Sequence, residues 1–149
     1  MNDSLNPWLF LGAVLSTIAA LLHVAIVVGG APWYRFFGAG ERLARMAEAG
    51  QWYPAALTMG IALVLFTWGA YALAGAGWVG WGLASGVLPW PKPVLCLIAA
   101  AYSLRGLAAI PLLLFAPAQV TPFVLWSSVI CSGYGAVHVL GLVQVWERL

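Results

Sequence analysis

Four stretches of this chain, approximately 8–30, 54–75, 93–115 and 122–146, each run for more than twenty mostly apolar residues. A hydrocarbon core about 30 Å thick is crossed by ~20 helical residues, so each stretch is long enough to span it. Backbone polar groups cannot stay unpaired in lipid, and none of the stretches alternates apolar and polar residues with period two. Helices rather than barrel strands are therefore expected. Composition agrees. Of 149 residues 64% are hydrophobic and only 7% charged, against about 25% charged in an ordinary soluble domain. Six basic and four acidic residues cannot cover a water-facing surface. The expected fold is all-α: a single polytopic membrane domain over residues 1–149, built as a four-transmembrane-helix bundle. The net charge of +2, without a basic run, argues against nucleic acid as a partner.

Proline and glycine mark the ends of these helices. Gly29, Gly30 and Pro32 close the first, and Pro54 opens the second. Pro89, Pro91 and Pro93 precede the third, and Pro117 and Pro122 bracket the last connection. Trp8, Trp33, Trp52, Trp78, Trp81, Trp90, Trp126 and Trp146 fall near the proposed boundaries, as an interfacial aromatic belt requires; Trp68 sits well inside a span. Residues 76–91, rich in Gly and Trp, are too short for a fifth span and either extend the second helix or lie at the interface. The N-terminal MNDSLNP lacks the basic region of a cleavable signal, so the first helix is expected to be retained. Neither terminus carries a lipidation motif. Cys96 and Cys131 lie in apolar runs without metal-type spacing and are expected to be packing residues.

The one substantial polar segment, 31–52, contains ERLARMAEA. Leu43, Met46 and Ala47 share one helical face there, and Glu41 and Arg45 stand at i,i+4. A short amphipathic helix at the membrane surface is expected, ending at Gly50. The three arginines of this segment, Arg35, Arg42 and Arg45, outnumber Lys92 and Arg148 on the other side. By the positive-inside rule the loop is expected in the cytoplasm and both termini outside.

Arg105 is the exception inside the spans. It stands near mid-depth of the third, with mostly apolar residues on both sides. A charge there costs from ~2.5 to above 10 kcal/mol and marks a functional site by default. All four acids, Asp3, Glu41, Glu48 and Glu147, lie outside the spans. The counter-charge must come from the loop, from a second subunit or from something bound; otherwise hydroxyls, carbonyls and water solvate the cation. Pro111 leaves the Leu107 carbonyl without its usual donor, so a kink or an extra acceptor is expected near Arg105.

Polar and small residues recur at helical spacing: Gly12, Ser16, Ala20 and His23 on the first helix; Gly60, Thr67 and Tyr71 on the second; Tyr102 on the third; Ser127, Cys131, Tyr134, Gly135, His138 and Gly141 on the fourth. Polar atoms avoid lipid, so these stripes are expected to face inward as a polar seam. Arg105, His23, Tyr102, Ser127, Ser128 and His138 would line it, and Tyr34 and Glu41 would close its mouth. His23 and His138 fall roughly 6 Å to opposite sides of the midplane. Paired haem ligation is therefore awkward, and no cofactor or metal is expected. A Ser–His pair lacks an acid to orient it, and no hydrolase, zinc-protease or phosphate-loop motif occurs.

The stretch LLHVAIVVGGAPWYRFFGAGERLARMAEAGQWYPA, with the later YSLRGLAAIP and TPFVLWSSVICSGYGAVHVLGL, resembles a group of small bacterial four-helix membrane proteins. The resemblance covers most of the chain, implies a four-span bundle with a lid-like first loop, and carries no reaction with it. The chain departs from the small multidrug exporters, which hold an acid in the first span where this one holds His23. It also lacks the paired intramembrane acids of sterol-isomerase-like bundles. The leading functional expectation is the binding or carrying of an amphiphile (a lipid, a fatty acid or a quinone-like molecule) with its head near Arg105 and His23. The alternatives are an accessory subunit or homo-oligomer within a membrane complex, and an enzyme acting on a membrane-embedded substrate.

Overall fold

A computed structural model describes residues 5–78 and 88–149. Among these residues the chain is helical, with no strand. The elements are α1 (Pro7–Gly29), α2 (Ala31–Phe36), α3 (Glu41–Glu48), α4 (Trp52–Gly75), α5 (Pro91–Leu107), α6 (Ala109–Phe115) and α7 (Pro122–Val145), with 3-10 turns at Pro117–Gln119 and Trp146–Arg148. Four helical segments of 23 to 27 residues are long and apolar enough to cross a membrane: Pro7–Gly29, Trp52–Gly75, Pro91–Phe115 and Pro122–Arg148. The sequence placed all four within two residues or so at most ends. The second begins earlier than expected, at Trp52, with Pro54 inside its first turn. The reading of 76–91 falls largely on residues 79–87, outside the described residues, as does most of the argument from the N-terminal tetrapeptide.

Contacts divide the chain into two compact units, residues 1–16 with 68–149, and residues 17–67. In the first unit, Asn6 organises one end. Its side-chain oxygen accepts the Leu9 amide at 2.9 Å, capping α1 ahead of Pro7. Its amide nitrogen donates to Gln144 at 2.8 Å, and its backbone N–H donates to the Ala76 carbonyl at 2.8 Å. One buried asparagine thus ties the start of α1 to the ends of α4 and α7. At α7 the cap is Thr121, whose hydroxyl accepts the Val124 amide at 3.2 Å ahead of Pro122.

The third span is interrupted close to Pro111. Helical hydrogen bonding lapses at Ala108, between α5 and α6, three residues before Pro111. A proline ring has no N–H for the carbonyl four residues back, here Leu107, and its ring crowds that carbonyl.

α5 and α7 run antiparallel and meet through a reciprocal pair of contacts. Gly106 packs on Ser132, and Gly135 packs on Ser103. A Cβ added at Gly106 would stand 2.6 Å from the Ser132 backbone nitrogen, and one at Gly135 would stand 3.0 Å from the Ser103 nitrogen. Each helix offers a Ser-x-x-Gly step, so the backbones approach closely without a side chain between them. This is how helices associate where lipid leaves no hydrophobic force to drive them together. Further along α7, the Gly12 backbone of α1 receives the His138 ring, and Gly141 receives Leu9.

The second unit contains a small core of Ile26, Ala31, Tyr34 and Ala44, with Phe37, Leu43 and Ala47 packed against it. Gly30, at φ 64°, turns the chain between α1 and α2 in a conformation few other residues adopt. The short helix α2 was not expected. α3 was, and its i,i+4 pair of Glu41 and Arg45 forms at 3.1 Å.

The inward stripe expected on the second span is corrected. Gly60 and Thr67 are exposed on α4, and Tyr71 alone of the three is buried. Thr67 satisfies its own hydroxyl by donating to the Leu63 carbonyl at 2.9 Å, so it needs no partner helix.

Replacing Gly106 or Gly135 by Leu should cost about 1–3 kcal/mol through overpacking, with the larger effect at Gly106. Thermal unfolding in detergent should show both losses. Gly133→Ala, where the added carbon meets nothing within 4 Å, should leave the midpoint unchanged or slightly higher. Equal effects at all three positions would contradict the close α5–α7 contact.

Candidate functional site

Arg105 lies in the last turn of α5, and its side chain is exposed. One terminal guanidinium nitrogen donates to the Ser128 hydroxyl at 3.1 Å and the other to the Ser127 hydroxyl at 2.7 Å. Among the described residues Arg105 takes part in no salt bridge. The α5–α7 register explains the geometry. Gly106 stands level with Ser132, while the serines bound by Arg105 are four and five residues nearer the start of α7. The cationic head is therefore drawn about 6–7 Å along the helix axis, away from mid-span. Long basic side chains relieve desolvation in this way. The guanidinium thus reaches toward the start of α7.

A guanidinium has five N–H donors. Two go to serines here, and three have no acceptor among the described residues. Ser128 is 3% exposed, so its position is fixed by packing. Ser127 is half-buried and passes its own proton to the Val124 carbonyl at 3.2 Å. Serine hydroxyls carry no charge, so the positive charge of Arg105 remains uncompensated. The neighbouring Leu104, Leu107, Trp126 and Ile130 are exposed apolar side chains. The arrangement is a fork of N–H groups, braced from one side by two hydroxyls and set in an apolar surface. It suits an acceptor that carries negative charge.

Tyr102 and His138 sit in the core of the first unit, away from that surface. Tyr102 is 6% exposed and its hydroxyl lies 3.0 Å from Ser16 Oγ. Its ring meets Trp68, Tyr134 and His138 at centroid distances of 5.1, 5.3 and 5.1 Å. His138 is 1% exposed, and its Nδ1 lies 2.8 Å from the Tyr134 carbonyl. A carbonyl only accepts, so Nδ1 carries the proton. The other nitrogen, Nε2, has no partner among the described residues and points toward Gly12. His23, in the second unit, uses the same device, with Nδ1 2.7 Å from the Ala19 carbonyl. Both histidines satisfy one nitrogen within their own helix.

Tyr34 and Glu41 also lie in the second unit. Tyr34 is 2% exposed, and its hydroxyl has no partner among the described residues. Glu41 is committed to arginines of its own segment. Arg35 Nε donates to it at 2.9 Å and Arg45 Nε at 3.1 Å. Arg35 also reaches Glu48, at 2.7 Å and 3.0 Å. Arg35 therefore bridges both ends of α3 to α2, a pairing that the sequence reading did not find. The hydrogen bond from Arg35, then that from Arg45, holds the Glu41 carboxyl down to about 2. The hydrogen bond from Arg35 likewise lowers Glu48, and the two carboxylates raise Arg35. No group of three or more His, Cys, Asp or Glu able to hold a metal occurs among the described residues.

The chain matches no protein-family model, no curated protein and no solved structure.

The ion cluster gives a pH test. Folding lowers Glu41 from 4.5 to about 2, so its stabilising contribution is complete above about 4.5 and is lost as pH falls toward 2. Carboxyl carbon NMR titration should show Glu41 with a midpoint near 2 and Glu48 below 4.5. Arg35→Gln should move both upward. A wild-type Glu41 midpoint at 4.5 would contradict the bridge.

Proposed function

We propose that this chain is a small integral membrane protein, a four-helix bundle of a bacterial inner membrane, that binds or carries an amphiphile at Arg105, Ser127 and Ser128. The amphiphile's head meets the guanidinium, and its tail lies along the apolar surface around Leu104, Trp126 and Ile130. α3 lies at the membrane surface, its apolar residues on one side and its ion cluster on the other.

One observation carries this reading. Arg105 is exposed among apolar side chains, held by two neutral hydroxyls, with no carboxylate among the described residues to balance it. In a bilayer the surroundings of such a residue are lipid. An uncompensated cation in that setting gains from any acceptor that lipid or a dissolved amphiphile presents. The ligand thus approaches from the bilayer, rather than through an interior seam as the sequence first suggested. Tyr102, Ser16 and His138 are then the packed support behind the site, holding α1 and α7 around α5.

Arg105→Ala should lower retention of co-purifying native lipid or amphiphile about tenfold or more, from the loss of ~1.5–3 kcal/mol of charge-assisted hydrogen bonding. Native mass spectrometry of both proteins, extracted in the same mild detergent, measures this. Equal retention would overturn the proposal.

A further inference from the structure

We infer that the head recognised by Arg105 is a carboxylate on a long hydrocarbon chain, a fatty-acid-type amphiphile, rather than the phosphodiester of a membrane phospholipid. The inference rests on the reading of Arg105, Ser127 and Ser128 as an amphiphile site and names the chemistry of its ligand.

Depth carries the first part of the argument. α7 begins at Pro122, and Ser127 lies five residues further on, about 7.5 Å along the axis. The 27 residues of the span Pro122–Arg148 extend about 40 Å, against a hydrocarbon core of about 30 Å. With the overhang shared between the two ends, the Arg105 fork stands about 2 Å inside the core. A phospholipid phosphate belongs to the headgroup layer outside this boundary, flanked by glycerol and a second polar substituent. To meet the fork it would have to drag that hydrated assembly inward, or the fork would have to release its serines. A carboxylate terminates its own chain and has no such assembly behind it. It reaches the fork with its tail already in hydrocarbon.

The donor set carries the second part. The three N–H groups left on Arg105 match two carboxylate oxygens, which a guanidinium edge binds bidentately. Ser128, with its oxygen accepting from Arg105, keeps its own O–H proton, which no acceptor among the described residues takes. One cation opposite one singly charged head leaves the site neutral. No second basic side chain neighbours Arg105 in the α5 or α7 sequence; Lys92 lies at the far end of α5, 4.2 Å over the Trp146 ring. A dianionic head such as a phosphomonoester would remain unbalanced; a phosphodiester carries the same single charge as a carboxylate and is set apart by depth.

The test is competition in nanodiscs of neutral phospholipid, read by native mass spectrometry. The probes are oleate, oleyl alcohol and dioleoylphosphatidylglycerol, offered to wild type, Arg105→Gln, Arg105→Lys and Ser127→Ala/Ser128→Ala. The inference expects wild type to retain oleate about tenfold over both other probes. Arg105→Gln should lose that preference. Arg105→Lys, which keeps the charge without the fork, should lose most of it. The double serine variant keeps the charge and the helix contacts, so it covers the case in which Arg105→Gln does not fold, and should bind oleate several-fold more weakly. A preference for phosphatidylglycerol that depends on Arg105 would overturn the carboxylate inference and leave the amphiphile site standing. Retention of every probe independent of Arg105 would overturn both.

Discussion

The close approach of α5 and α7 at Gly106 and Gly135 is the contact on which the first unit depends. It fixes the antiparallel register between the two helices. That register puts Ser127 and Ser128 within reach of Arg105. It also sets Tyr102 against Tyr134 and His138, and so prepares the surface that receives Gly12 of α1. Leu95, Ile98, Leu142 and Val145 are buried on these helices, while many of their other Leu, Val and Ile side chains are exposed. Around Gly106 and Gly135 the contact adds the dense packing of small residues and the pairing of polar atoms. Those interactions discriminate between helix partners when the surroundings are as apolar as the helices themselves.

The chain treats its arginines in two opposite ways. Arg35 is surrounded by carboxylates, which drop in pKa while it rises, and the result pins α2 to α3. Exposed ion pairs of this sort contribute little each, yet a bridge from one guanidinium to two acids constrains geometry more than an isolated pair does. Arg105 receives hydroxyls alone. Hydroxyls orient a guanidinium without neutralising it. The first arrangement completes itself within the chain, while the second stays short of one negative charge. That difference is why Arg105, and not Arg35, is the candidate for binding.

The span positions were legible because length, apolar character and Pro or Gly punctuation act locally. The break beside Arg105 followed from Pro111 for the same reason. The Asn6 cap of α1 went unread, and its further bonds to Gln144 and Ala76 join residues far apart in the sequence. Which faces point inward was much less legible. Periodicity reveals an inner face only where inside and outside differ in polarity, and these helices are apolar all round. Thr67 shows the consequence, since a hydroxyl satisfied by its own helix can face outward. Arg105 shows it again: its missing counter-charge was visible in the sequence, but the outward direction of its side chain depends on the register with α7. The Arg35 bridge to Glu48 spans a turn through Gly38 and Gly40, both at positive φ, and needed the fold to reveal it.

The central claim, a guanidinium held by serines and free to meet a carboxylate, is tested most directly by a distance. In bilayers containing oleate labelled with carbon-13 at the carboxyl, solid-state NMR dephasing by arginine nitrogen-15 measures whether the two groups meet. The account predicts a contact within about 4 Å in the wild-type protein, absent when Arg105 is replaced by Gln and unchanged when Arg42 is. Dephasing that survives the loss of Arg105, or none in the wild type, would contradict it.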